Sequence, residues 1–250
     1  MKRRQIKSEL SLSQEWIELS RAMYGKNFID ELAQIFHCHH IETVLECGCG
    51  GGHILAGLMK RGFKVFGIDA NDEMINIARK NYPHLPVEKM NWLDLENLKE
   101  NFDCVMCRGN SLAVVGSWDV AINSDFFKYE AFSMIKRSLD VMFKRVKCGG
   151  MLYVDTISNE EINSKGRKVH FKNSGIDLEG EITHDWKKRI RHICGGGVVN
   201  GKKFYGGSFP YLMTPDELIG LMMKLRQSAV YTPILINETN YYVVLAEKSF

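Results

Sequence analysis

The sequence lacks the marks of several protein classes. No apolar run approaches the roughly 18 residues that a bilayer crossing needs, so no membrane partner is expected. Lys2-Arg3-Arg4 is basic, but no apolar h-region follows it, and no secretory leader is expected. Neither sign of charge dominates: the net charge is +3, and apart from Lys2-Arg3-Arg4 and Lys187-Lys188-Arg189 the basic residues are scattered. A nucleic-acid groove needs basic residues clustered with aromatics, so no nucleic-acid partner is expected. The cysteines number 7, an odd count that favours a reducing compartment, read here as cytoplasmic. Two clusters invite a metal, His37-Cys38-His39-His40 and Cys104-Val105-Met106-Cys107. Neither has a second ligand pair at zinc spacing. The histidines suit the negative end of a helix, and the offset of Cys104 and Cys107 in a strand-like run turns them to opposite faces. No metal is expected. There is no repeat and no low-complexity linker, and 250 residues suffice for one substantial core plus an insertion.

What is present begins with an apolar run, Ile41 to Leu45, that ends in Glu46 and then in Cys47-Gly48-Cys49-Gly50-Gly51-Gly52-His53. A second run, Phe63 to Ile68, ends in Asp69 about twenty residues on, the layout of a nucleotide-binding βαβ unit. Glycine lets the backbone come close to a ligand where a Cβ would collide. A carboxylate at the end of the second strand accepts hydrogen bonds from a ribose diol. A dinucleotide site needs G-x-G-x-x-G, and from Gly48 the sixth position is His53. Glu46 in the loop would also repel a pyrophosphate.

The rest of the chain alternates as a doubly wound α/β sheet does. A helical segment is expected over 13–36. Strands follow at Thr43 to Glu46, Lys64 to Asp69, Val87 to Met90 and Phe102 to Cys107, with helices at His53 to Lys60 and Glu73 to Asn81. A long helix from Phe127 to Val146 stops at Cys148-Gly149-Gly150, and a strand runs from Met151 to Asp155. From about Gly166 to Leu212 short alternating runs separated by glycine turns, including Asn200-Gly201, read as an inserted antiparallel layer. Thr214-Pro215-Asp216-Glu217 opens a last helix. Tyr231 to Asn237 and Tyr241 to Glu247 form a closing hairpin.

The series Glu46-x-Gly48-x-Gly50-x-Gly52 resembles motif I of the class I S-adenosylmethionine (SAM) methyltransferases. Three further segments resemble the glycine and sarcosine N-methyltransferase group: Gly62 through Met74, Glu88-Lys89-Met90-Asn91-Trp92-Leu93, and Phe102-Asp103 with Arg108-Gly109-Asn110-Ser111-Leu112-Ala113. The resemblance implies an α/β fold, a Rossmann-like seven-stranded methyltransferase sheet with an inserted small antiparallel β layer. It implies an N-terminal helical lid over 1–40, a SAM-binding domain over 41–160 and 213–250, and a substrate-side insertion over 161–212. SAM is the implied cofactor, with S-adenosylhomocysteine as product. The implied cofactor-binding residues are Glu46, Gly48 and Gly50 at the methionine part, Asp69 at the ribose, Ala70 and Met74 at the adenine, Asn91 and Trp92 bordering it, and Arg108 beneath the methionine. Tyr24 and Arg21 can reach the SAM carboxylate or cover the site. Asn110 faces the acceptor, and Tyr205 and Tyr211 join it as candidate catalytic residues, with His170 in the same layer.

The implied partner is a small-molecule acceptor, with an amine nitrogen preferred. One departure bears on it. Glycine N-methyltransferases carry an arginine just after the fifth strand, and the matching Asp155-Thr156-Ile157-Ser158-Asn159 has none. Glycine then requires Lys165, Arg167 or Arg108 as a substitute. The competing readings are a small-molecule O-methyltransferase, for which His170 and His184 are available, an RNA methyltransferase, and a non-catalytic SAM-binding protein. An exposed N-terminal helix is compatible with a homo-oligomer.

Overall fold

The structure is a computed structural model, and it describes residues 9–115, 127–163, 167–173, 175–225, 228–231 and 241–249. Two helices lead the chain. α1 (Leu12–Met23) opens with a capping box, in which the Ser11 hydroxyl accepts from the Gln14 N–H at 3.1 Å and Gln14 accepts from the Ser11 N–H at 3.2 Å. The single helix expected over 13–36 is broken at Tyr24-Gly25, where Gly25 is extended and caps α2 (Lys26–Cys38). His37 lies in the last turn of α2, as the dipole argument requires.

A mixed seven-stranded sheet carries the core. Its elements are β1 (Thr43–Cys47), α3 (His53–Met59), β2 (Lys64–Asp69), α4 (Asp72–Asn81), β3 (Val87–Lys89), a 3₁₀ turn (Trp92–Asn97), β4 (Phe102–Cys107), α5 (Ser111–Val114), α6 (Phe127–Lys144), β5 (Val146–Ile157) and α7 (Asn159–Asn163). After an excursion through four further strands come α8 (Pro215–Met222), β10 (Ser228–Tyr231) and β11 (Tyr241–Lys248). The strand order is β10-β11-β5-β4-β1-β2-β3, and β11 runs antiparallel to both its neighbours. Order reverses beside β1, so the carboxyl ends of β1, β2 and β4 open on one crevice, where ligands of open α/β sheets bind. Strands buried on both faces explain the near-continuous apolar runs. Cys107 joins the cluster of Leu45, Ile68 and Leu152, while Cys104 joins Val44, Val65 and Tyr153 on the opposite face.

β5 begins five residues earlier than expected, at Val146, and runs through the Cys148-Gly149-Gly150 stop with a register shift against β4. Gly150 is not there to end a helix: a Cβ on it would lie 2.5 Å from the Asp103 carbonyl oxygen. α5, α7 and the 3₁₀ turn were not expected from the pattern. Of the expected closing hairpin, 232–240 lie outside the described residues, as does Lys165.

The excursion is a second, antiparallel sheet of β6 (Arg167–Asn173), β7 (Ile176–Asp185), β8 (Ile190–Val199) and β9 (Lys202–Ser208), in that order. Its buried Ile176, Leu178, Val199 and Phe204 pack with Leu10, Leu19 and Ala22, so one face lies on the N-terminal segment. The other stripes of α1 meet the main sheet. The Cγ1 of Ile17 lies 2.9 Å from where a Gly51 Cβ would stand, and the Asn71 amide donates to the Ser13 hydroxyl at 3.1 Å. Among the described residues no helix is long and apolar enough to cross a membrane, and no group of three or more His, Cys, Asp or Glu could hold a metal ion.

Candidate functional site

The loop after β1 is shaped by left-handed backbone. Gly48, Gly50 and Gly52 have φ of +81°, +51° and +75°. L-residues reach that region only at a cost, and glycine does not. Space is tight at Gly48 as well, where a Cβ would lie 3.3 Å from Trp92 Cζ2 and 3.5 Å from Ser111 Cβ. Asp69 ties this loop to the next. Its Oδ2 accepts from the Gly50 N–H and its Oδ1 from the Asn71 N–H, both at 2.9 Å. Each oxygen keeps lone-pair capacity for a second donor. Burial raises the Asp69 carboxyl above the usual carboxylate range, and those two N–H groups oppose the rise.

Glu46 stands at the end of β1, 4% exposed, and its Oε2 has no hydrogen-bond partner. Burial pushes its carboxyl up to about 8, against the pull of the Arg108 guanidinium and with a push from Asp69. Arg108 is itself 4% exposed and is held between two rings, its Cζ 4.5 Å from the centroid of Tyr24 and 4.3 Å from that of Phe28. Tyr24, Glu46, Gly48, Gly50 and Arg108 line one cleft, which retains about 40 Å³ of open space. Pockets for ligands of drug size hold ~300–1,000 Å³.

The remaining predicted residues fall into two sets. Met74 and Trp92 stand beside the loop glycines, and Ala70 and Asn91 do not line the cleft. Met74 Sδ is 3.8 Å from the Cβ position of Gly50, Trp92 flanks Gly48, Ala70 is exposed beside Asp69, and Asn91 is exposed with its Oδ1 accepting from the Leu93 N–H at 3.1 Å. Arg21 is paired with Glu18 at 2.9 Å and does not line the cleft. Asn110 is 4% exposed, in the left-handed region at φ +57°, and its Oδ1 accepts from the Thr156 hydroxyl at 3.4 Å. Its side chain is turned to β5, and the cleft is lined by its neighbours Gly109 and Ser111. That turn is fixed from below by Asp155, which is fully buried and accepts from the N–H groups of Gly109 at 2.7 Å and Asn110 at 2.6 Å.

Tyr211 is buried beside α5, its N–H donating to the Ala113 carbonyl at 2.8 Å, and the Arg189 guanidinium lies 5.3 Å from its ring centroid. Its hydroxyl is raised above the usual tyrosine value, by burial first and by Glu217 second. Tyr205 is not brought to the cleft: it is 59% exposed on the outer face of the second sheet. His170 is exposed and paired with Asp177 at 2.6 Å, and His184 is half-buried at the end of β7. Arg167 and Arg191 both bind Glu161, at 2.5 and 2.7 Å.

Sequence reasoning missed Trp16, Ile17, Ser20, Cys49, His53 and Ile54 among the lining residues. His53 opens α3, and its Nε2 is buried with no partner. Burial, reinforced by Arg108 and Arg21, lowers its pKa to about 4, while the backbone of Tyr24 and Ser20 works the other way. It is neutral near pH 7. The signal for it was its place after the glycines, used only to exclude a dinucleotide motif. Trp16, Ile17 and Ser20 come from α1, whose docking no local pattern announces.

Comparison with known proteins agrees with this geometry. Residues 44–129 match the family model described as a methyltransferase domain. Human glycine N-methyltransferase is 29% identical over 161 residues, which cover 59% of this chain and 50% of that one. The chain spans about half the length of the curated relatives it matches. A SAM-dependent methyltransferase of Clostridium acetobutylicum superposes with TM-score 0.71 at 12% identity, covering 96% of this chain and all (100%) of the other. A SAM-bound amino pentose methyltransferase of Micromonospora echinaspora gives TM-score 0.69 at 16% identity, covering 96% of this chain and 99% of that one. Residues 44–129 thus resemble a methyltransferase domain, and the chain has the Rossmann-like fold of the solved SAM-dependent methyltransferases.

Proposed function

We propose that this protein is a SAM-dependent methyltransferase acting on a small-molecule amine. The observation that carries the reading is the buried Glu46 oxygen without a partner, facing a glycine-lined loop whose far side is closed by Asp69. A buried carboxyl without a donor is costly unless a ligand completes it. The residues fit SAM: Glu46 complements its ammonium, Arg108 its carboxylate, Asp69 its ribose diol, and Met74 and Trp92 flank the adenine. When bound, SAM supplies an electrophilic methyl on a sulfonium. The chain's own residues bind, align and exclude water, from which most of the acceleration of a direct transfer comes. His53, neutral near pH 7, adds no positive charge beside a sulfonium.

α1 acts as the lid. Ile17 closes on Gly51, and the small space left means that α1 shifts to admit a nucleoside-sized ligand. The relatives favour nitrogen as the acceptor atom: one acts on glycine by its name, and one neighbour on an amino pentose. For an acceptor bearing a carboxylate, Arg167 is engaged by Glu161, and Arg108 is given to the cofactor. The test is S-adenosylhomocysteine formation with glycine, sarcosine and aminosugars, beside catechol and carboxylic acids. Turnover with an amine and none with oxygen acceptors supports the reading. Turnover with oxygen acceptors alone makes it an O-methyltransferase.

A further inference from the structure

Beside Glu46, the cleft holds a second buried group that the fold leaves incomplete. His53 lines the cleft from the first position of α3, and its Nε2 is shut off from solvent with no hydrogen-bond partner. The residues that follow it, Ile54, Leu55 and Ala56, are all buried, so α3 presents the ring from a packed base.

The same ring meets the end of the lid. Ser20, in the last turns of α1, and Tyr24, at its C-cap, line this cleft too. Their backbone groups favour the charged form of His53. A backbone group that favours an imidazolium is a hydrogen-bond acceptor, so these are carbonyl oxygens at the end of α1. Histidine suits the carbonyl end of a helix, and here it comes from another element. With Nε2 unpartnered, Nδ1 is the nitrogen turned to them.

Burial, Arg108 and Arg21 keep the ring neutral near pH 7. A neutral imidazole carries one N–H and one lone pair. With the N–H at Nδ1 facing α1, Nε2 is an acceptor without a donor. Glu46 Oε2 is a second such acceptor in the same cleft. A buried acceptor left without a proton lowers stability unless a ligand supplies one. Arg108 adds a guanidinium to the two acceptors. That set matches an α-amino acid, whose ammonium only donates and whose carboxylate only accepts.

We propose that His53 is a specificity-determining residue for the amino-acid end of the cofactor, its Nε2 accepting a hydrogen bond from the α-ammonium beside Glu46 while its Nδ1 N–H holds the end of α1. This deepens the methyltransferase reading above and rests on it. Glu46 attracts the ammonium by charge. His53 adds a directional acceptor and no charge, so the cleft selects a ligand whose amino group is intact. The ring also ties the ligand to the lid: filling the cleft fixes the end of α1.

The test titrates the full chain at pH 7.5, by calorimetry, with S-adenosylhomocysteine and with the analogue in which hydrogen replaces its α-ammonium. Wild type prefers S-adenosylhomocysteine. In His53→Leu that preference falls at least tenfold, the size of one hydrogen bond to a charged group. The analogue, which gives Nε2 no proton, keeps its affinity within threefold. His53→Gln, whose amide oxygen reaches as far as Nε2, keeps the preference within threefold of wild type. An unchanged preference in His53→Leu overturns the proposal, whether both affinities hold or both fall; the second result marks a packing role. His53→Gln as unselective as His53→Leu overturns it too. Should His53→Leu not fold, His53→Asn takes its place, its amide too short to reach the Nε2 position, with the same readings. Wild type that binds no S-adenosylhomocysteine overturns the methyltransferase reading, and the proposal with it.

Discussion

The two sheets of this protein are built on opposite terms. Main-sheet strands β1 and β4 are buried on both faces except at Thr43 and Asp103 near their starts, and Glu46, Asp69 and Arg108 appear together at the carboxyl ends of β1, β2 and β4. The second sheet alternates buried and exposed residues along β7, and its inner face gives way to glycine at Gly180, Gly195 and Gly206. In the first sheet polar groups sit where the topology makes a crevice. In the second, glycines let neighbouring strands and the Phe204 ring approach closely. The difference teaches that one sheet positions polar side chains at its strand ends, while the other sets its shape by glycine.

The contrast is broken most severely at Asp155, the carboxylate that holds the Gly109-Asn110 turn. Asp155→Ala leaves two buried N–H groups without their acceptor, at ~1–3 kcal/mol each. The expected loss of stability is about 2–4 kcal/mol, read by urea denaturation. A loss below about 1 kcal/mol means that the turn is held by other contacts. Next is Asp69→Ala, which removes the Gly50 tether and the diol acceptor together. SAM affinity falls at least tenfold, or about 1.4 kcal/mol, by calorimetry. Unchanged affinity removes Asp69 from the ribose site.

A third, pH-dependent effect sharpens the comparison. Burial holds the Glu46 carboxyl at about 8 in the folded chain, against an ordinary 4.5, so without a cation beside it the protonated form is favoured below pH 8. An ammonium beside it favours the carboxylate, and SAM binding therefore releases a proton below pH 8. The SAM dissociation constant then rises as pH falls from 8 toward 6, by up to tenfold per unit. Without ligand the sign is opposite: a raised pKa makes this group's contribution to stability fall as pH rises from about 5 to 8. In Glu46→Gln both dependences flatten, and persistence of the affinity slope assigns it to another group. The smallest effect belongs to the outer face of the second sheet. Asp177→Asn breaks exposed pairs with His170 and Lys172 and leaves the denaturation midpoint unmoved.

The sequence made the first sheet legible and left much of the second closed. Glu46, the glycines and Asp69 were readable because the strands before them are short apolar runs and the left-handed turn at Gly48 tolerates little else. Where reading failed, a distant contact decided. Gly149-Gly150 resembles a helix stop, yet Gly150 serves the close passage of β4. Gly25 splits the first helix because α1 must lie over the Gly51 loop while α2 packs on α3. Asn110 reads as a residue facing an acceptor, and the fold turns its amide to Thr156. Tyr205 sits in an alternating strand whose parity is fixed by pairing with β8, and that parity sends it outward.

The most direct test is isothermal titration of the full chain with SAM, S-adenosylhomocysteine and NAD. The cleft lined by Glu46, Gly48 and Gly50, with Asp69 tied to its loop, predicts micromolar binding of both adenosyl-sulfur ligands and none of NAD. No binding of SAM, or binding of NAD in its place, would contradict the assignment of that loop and every role built on it.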